Sequence, residues 1–238
     1  MSKRFVVKEE NIYLEENDII IMGEEVHHIN VLRYNVGDTV YINEYEVEIT
    51  KLLKDRLEGA VIGTMPLIGV PKVEITLIQS YLKSDKMDYV VQKAVELGAK
   101  NIIPVITKNT IVKFENKDKV KKQERLNKIA KEAVEQCGRG DLVEVADIVN
   151  IKEIYFNSYD KVFVCHEKSS VKLKDEISKI KDIKKIAVII GPEGGLDDTE
   201  VNELLKLENV VDISLGERIL RAETASFNIL SILNYELE

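Results

Sequence analysis

From Val73 onwards, short apolar runs alternate with longer amphipathic segments, and this alternation constrains the fold more than any other feature of the chain. The runs VEITLIQS, NIIPVIT, KVFVCHE, KKIAVII and VVDISL have the length and β-branched content of strands. KKIAVII is almost unbroken in its apolar character, as a strand covered on both faces must be. Helix-period segments stand between these runs. DKMDYVVQKAVELG sets Met87, Val90, Val91, Ala94 and Val95 on one face and stops at Gly98. KVKKQERLNKIAKEAVEQCG sets Leu126, Ile129, Ala130, Ala133, Val134 and Cys137 in one buried stripe and stops at Gly138. SVKLKDEISKI and TEVNELLKL predict shorter helices, the second opened by a capping box of Asp197 and Glu200. LGERILRAETASFNIL, residues 215–230, predicts the start of a last helix. Alternation of this kind predicts an α/β fold with a parallel sheet covered by helices.

The texture before this region is different. RFVV, DIIIM, DTVYIN, EVEITKLL and RLEGAVIG are short strands at close spacing, with one short helix over GEEVHHINVLR. Such spacing predicts a small barrel. Pro66, Gly69 and Pro71 mark a linker, so the chain is expected to divide into residues 1–68 and 72–238.

Composition removes several function classes. With 45% hydrophobic and 32% charged residues the chain can build a core. No apolar run approaches the ~20 residues of a membrane span, and the N-terminus carries no secretory apolar stretch. Cys137 and Cys165 give no disulfide framework, which points to a reducing, cytoplasmic compartment. His27, His28 and His166 lack metal-ligand spacing, so no metal is expected. The adjacent His27 and His28 read better as one packed and one solvated histidine than as an RNA contact or a domain brace. A net charge of −8 argues against nucleic acid, yet the segment from Lys108 to Arg139 is strongly basic. That segment is either a solvated helix face or a face that follows phosphates.

In open α/β sheets, ligands sit beyond the carboxyl ends of the strands. Three loops qualify: Cys165-His166-Glu167, GPEGG from Gly191 to Gly195, and Leu215-Gly216-Glu217. GPEGG is neither of the usual phosphate-binding glycine patterns. It carries Glu193 and no lysine, and Asp197 and Asp198 follow. Phosphate would be repelled there, whereas a neutral or cationic adenosyl ligand suits it; an empty Gly/Pro turn is the alternative. In the third loop, Ile219 and Leu220 can flank a flat ring, while Thr224, Ala225 and Ser226 permit close approach of another element. The alternative is ordinary helix packing, with Glu217, Arg218, Arg221 and Glu223 in weak intrahelical pairs.

GPEGG followed by LGERILRAETA resembles the RsmE family of 16S ribosomal RNA (uracil-N3)-methyltransferases, of the SPOUT class. HHINVLRYNVGD, KMDYVVQKAVELGAKNIIPVIT and KIAKEAVEQCGR extend the resemblance, in order, over nearly the whole chain. The resemblance implies a trefoil-knotted parallel sheet, which general topology rules would not have chosen, and an N-terminal PUA-like barrel that helps to hold RNA. It implies S-adenosylmethionine bound in the knot and a homodimer with the active site at the subunit interface. Carried over, Ile190, Gly191, Gly194, Gly195, Leu215, Gly216, Ile219 and Leu220 line the cofactor pocket, with Thr224 a neighbour and His166 and Glu167 at the first loop's position. Arg221 is the first candidate to stabilise the uracil anion or steer the base. Glu193 and Glu223 are candidates for proton acceptance, or else structural partners of an arginine. Gln136, Arg139, Arg4 and Arg33 are expected RNA contacts. In this context the basic segment reads as a phosphate-following face. Two other readings remain. A knotted transfer-RNA methyltransferase fits less well with a barrel followed by a basic helix. A non-catalytic RNA-binding module fits less well with an intact GPEGG and RILRAETA.

Overall fold

The computed structural model describes residues 4–180 and 182–237. The chain divides into two compact units, Met1–Val70 with Val134–Leu142, and Pro71–Ala133 with Val143–Glu238.

The first unit contains β1 (Arg4–Phe5), β2 (Ile12–Glu15), β3 (Asp18–Met22), helix α1 (Glu24–Val31), β4 (Thr39–Ile42), β5 (Tyr45–Leu52) and β6 (Arg56–Thr64). The strands form one sheet in the order β1-β4-β5-β6-β3-β2. All neighbours are antiparallel except β1 and β4. Period-two pairs such as Ile19 and Ile21, Val40 and Ile42, and Val47 and Ile49 point into a common core, which Val26 and Ile29 of α1 share. Sequence reading passed over β2 because only Ile12 of its four residues is even half-buried, so no alternation announces it. His28 packs edge-on against Phe5 at 5.8 Å and lies 3.4 Å from Glu135, while His27 is exposed.

The second unit contains β7 (Glu74–Ser80), α2 (Lys86–Glu96), β8 (Asn101–Ile106), α3 (Asn116–Cys137) up to Ala133, β9 (Glu144–Val145), β10 (Val149–Asn150), β11 (Lys161–Cys165), α4 (Leu173–Ile177), β12 (Lys185–Ile190), α5 (Asp198–Leu204), β13 (Val210–Ile213) and α6 (Ala222–Leu237). Its seven strands are all parallel, in the order β10-β8-β7-β12-β11-β13 with β9 on β8. Central β12 buries Ile186, Ala187, Val188 and Ile189 completely. Each large side chain buried in this way stabilises the fold by about 1.5–3 kcal/mol. Among the described residues no helix is long and apolar enough to cross a membrane.

The last connection positions the site. β13 is the sheet edge beyond β11, yet α6 packs on α2, β7 and β12. Tyr89 of α2 and Phe227 of α6 meet edge-on at 5.3 Å. The segment between β13 and α6 must therefore cross the carboxyl ends of β11 and β12. That segment is not helical, contrary to the sequence expectation. Gly216 has φ 114°, and the helical hydrogen bonds begin with Ala225 N–H donating to Arg221 O at 2.8 Å. Cys137, expected in the buried stripe of α3, is exposed, because the helix ends there and Gly138 turns the chain at φ 75°.

A buried polar contact joins α6 to the sheet. Ser226 donates its hydroxyl to Gln79 Oε1 at 2.6 Å, and both residues are fully buried. Ser226→Ala leaves that oxygen unpaired and is expected to cost about 1–3 kcal/mol, read as a lower urea midpoint at unchanged slope.

Candidate active site

A cavity of about 680 Å³ opens at the carboxyl ends of β11 and β12. This volume lies within the usual range for small-molecule sites. One wall is the turn after β12. Gly195 N–H donates to Pro192 O at 2.9 Å, and Gly195 takes φ 73°, which favours glycine. A Cβ on Gly191 would stand 2.9 Å from Leu196 N, so only glycine lets this turn close on itself. The facing wall is the stretch from Ser214 to Arg221. His166 and Glu167, just beyond β11, form the third side.

The cavity gathers Ile190, Gly191, Gly194, Gly195, Leu215, Gly216, Leu220, Ile219, His166 and Glu167, together with Glu193 and Arg221. Thr224 does not line it and is exposed. Because α6 starts at Ala222, a period of 3.6 turns Ala222 and Ala225 inward and Thr224 away. Glu223 stands behind the lining but reaches it through a lysine that sequence reading missed. Lys86 Nζ lies 3.4 Å from Glu223 and 3.9 Å from Glu193, and Lys83 N–H donates to Glu193 Oε1 at 3.3 Å. The structural partner of both carboxylates is thus a lysine, not an arginine. The sequence marks three strand-end loops as ligand sites, and the one after β7 carries no comparable mark.

The loop after β8 was missed for the same reason. Asn109 donates its amide to Gly195 O at 3.1 Å, and Lys108 N–H donates to Glu200 Oε1 at 3.0 Å. The second contact overturns the predicted capping box. Asp197 does cap α5, accepting from Thr199 N–H at 2.9 Å, but Glu200 turns to the neighbouring loop. Asp197 also pairs with Lys108 at 2.8 Å. The Lys108 ammonium, aided by the Thr199 hydroxyl, holds its carboxyl far below the ordinary range. Burial pushes the Cys165 thiol far up, so this cysteine stays a neutral apolar neighbour of the site. His166 is only 8% exposed, and its Nε2, 3.6 Å from Asp198 Oδ1, has no hydrogen-bond partner.

The family described as "RNA methyltransferase domain" matches residues 70–234. The chain is 35% identical over 233 residues to Ribosomal RNA small subunit methyltransferase E of Bacillus subtilis, covering 92% of this chain and 90% of that protein. The chain belongs to the ribosomal RNA small subunit methyltransferase E family. The protein of that name from Mesomycoplasma hyopneumoniae is 29% identical, with 96% and 97% covered. A solved methyltransferase E from Neisseria gonorrhoeae, bound to S-adenosyl methionine, superposes with a TM-score of 0.80 at 27% identity, over 99% of this chain and 98% of that one. The all-parallel sheet and the antiparallel sheet before it therefore follow the methyltransferase E fold.

The four expected RNA contacts fare differently. Gln136 and Arg33 are exposed, and Arg4 is half-buried with NH1 donating to Pro66 O at 3.4 Å. Arg139 is 4% exposed, with its guanidinium on Asp141 at 2.7 and 3.0 Å. Its expected role as a solvent-facing contact is corrected, since removing it from Asp141 would strand a buried charge. On α3 the exposed Lys117, Lys121, Arg125 and Lys128 recur at helical spacing on one side, with the exposed Glu124 and Glu132 among them.

The Asp197 pair has a predictable acid response. A carboxylate depressed by folding contributes stability above its unfolded value, about 3.9, and loses it as pH falls through the lower folded value. Asp197→Asn keeps a capping side chain but removes the charge. Its thermal midpoint is expected to fall less than that of the parent chain as pH drops from about 5 to 2.

Proposed function

We propose that this chain transfers the methyl group of S-adenosylmethionine to N3 of a uridine in 16S ribosomal RNA, and does so as a cytoplasmic homodimer. The observation that carries the reading is the cavity between the Gly191–Gly195 turn and the Ser214–Arg221 segment. Its residues suit the cofactor. Gly191, Gly194, Gly195 and Gly216 let the backbone of two turns approach an adenosine edge closely. Glu167 and Glu193 bring negative charge towards a cationic ligand. The unpartnered Nε2 of His166 offers a buried polar atom to a ribose hydroxyl or a base edge. Ile190, Leu215 and Leu220 supply apolar cover. S-adenosylmethionine, when bound, supplies a methyl group on a positively charged sulfur.

The protein's own task is the uracil. N3 carries a proton at neutral pH, and the reaction needs that proton removed or its anion stabilised. Arg221 is exposed on the cavity rim and, among the described residues, makes no ion pair. Its guanidinium stays charged and presents fixed donors to a carbonyl of the ring. Glu193, on the cavity lining, is the carboxylate that accepts the proton in this reading, whereas Glu223 stands behind the lining on Lys86. The exposed basic residues of α3 suit the phosphate backbone, and Arg33 and Gln136 of the first unit are each exposed enough to meet RNA. The dimer reading is supported by Ile219 at 87% and Tyr235 at 83% exposure, large apolar groups that a second copy would cover. The crossing of Ser214–Arg221 over the sheet is the segment that a trefoil knot would thread.

Labelled S-adenosylmethionine is incubated with 30S subunits, naked 16S RNA or bulk transfer RNA, and the modified nucleoside is identified after digestion. N3-methyluridine in the ribosomal RNA is expected, and label on transfer RNA alone or nowhere overturns the reading. Arg221→Ala is expected to lower turnover about 10²–10³-fold with cofactor affinity unchanged. Near-normal turnover of that variant removes Arg221 from the mechanism.

A further inference from the structure

We propose that Lys86 is a positioning residue of the methyl-transfer site, clamping its two motif segments to the first turn of α2. The proposal rests on the reading of the cavity as the cofactor and uridine site. Lys86 lies on the cavity lining, in the loop-to-helix step that follows central strand β7. Its ammonium stands 3.4 Å from both oxygens of Glu223 and 3.9 Å from Glu193 Oε1. Glu193 belongs to the turn after β12 and Glu223 to the first turn of α6. One cation therefore joins two segments that are 30 residues apart in sequence and form opposite walls of the cavity.

The three side chains are neither free nor sealed. Lys86 is 31% exposed, Glu193 18% and Glu223 15%. At this depth an ion pair is screened less than on the open surface. The cluster has a further anchor, because Lys83 N–H donates to Glu193 Oε1. Without the ammonium, the two carboxylates would face the same space with no counter-charge, and at least one would turn away. Glu223 sits one residue beyond Ala222, which follows Arg221. Movement of Glu223 therefore displaces the Arg221 guanidinium, while the glycine backbone that would meet the cofactor keeps its own support from Gln79 and Asn109. Lys86 thus acts on the reaction through Glu223 and Arg221, not by touching substrate. A misplacement of about 1 Å in such a group is enough for a loss on the order of 10²-fold.

The test uses the full-length protein and compares Lys86→Met, Lys86→Arg, Glu223→Gln and the Lys86→Met/Glu223→Gln double variant. Cofactor affinity is measured by calorimetry with S-adenosylmethionine, turnover on 30S subunits or 16S RNA, and folding by thermal unfolding. Lys86→Met is expected to bind cofactor within about threefold of the parent and to lose about 10–100-fold in kcat. Lys86→Arg, which keeps the charge, is expected to regain most of that loss. The double variant is expected to be little worse than Lys86→Met alone, since both changes break one contact. Parent-like turnover of Lys86→Met, a loss confined to cofactor affinity, or losses that simply multiply in the double variant would each overturn the proposal. A parent protein that binds no cofactor and methylates neither substrate defeats the underlying reading of the site, and the proposal with it.

Discussion

The buried side chain of Gln79 is the contact on which the site depends. It stands at the carboxyl end of β7, with no exposed surface. Its Oε1 accepts from Ser226 of α6, and its Nε2 donates to Ser80 O at 3.0 Å and, at 3.5 Å, towards Gly191 O. One amide thereby satisfies groups from the central sheet, the last helix and the glycine turn. In a dry interior each of these atoms is costly to leave unpaired, so the three elements have one favourable arrangement. The cavity walls are loops, which are free to vary, but they hang from a rigid junction.

Above that floor the site mixes charged and apolar side chains. Lys83, Lys86, Arg218 and Arg221 line it along with Glu167, Glu193 and Glu217. The acidic side suits a positively charged cofactor, and the arginines at the rim suit an RNA substrate. A net charge of −8 is therefore a poor guide to what this chain meets, because basic groups stand at the cavity rim and along α3.

The parallel sheet was legible because burial on both faces leaves a direct mark on sequence, as in KKIAVII. Period-3.6 stripes made α2 and α3 equally plain. The two glycine-bearing loops were visible for a similar reason, since a turn that closes as tightly as Gly191 against Leu196 excludes other residues. What escaped was tertiary. Nothing local marks Lys86 as the partner of Glu193 and Glu223, or Asn109 as the support of Gly195, because each pair is joined only by strand order. Glu200 matched the spacing of a capping box, yet a backbone N–H from another loop competed for its oxygen. Arg139 looked solvent-facing beside a glycine stop, whereas Asp141 two residues later holds it inside. Residues 215–221 carried helix-like composition, but Gly216 at φ 114° and the crossing over the sheet keep them out of a helix.

The central claim is that the Gly191 turn and the crossing segment form one cofactor-binding unit over a fixed floor. Amide hydrogen exchange with and without S-adenosylmethionine tests it most directly. Slower exchange is predicted at residues 191–196 and 214–221, with residues 39–52 of the first unit unchanged. Unaltered exchange in both segments, or protection confined to the first unit, would contradict it.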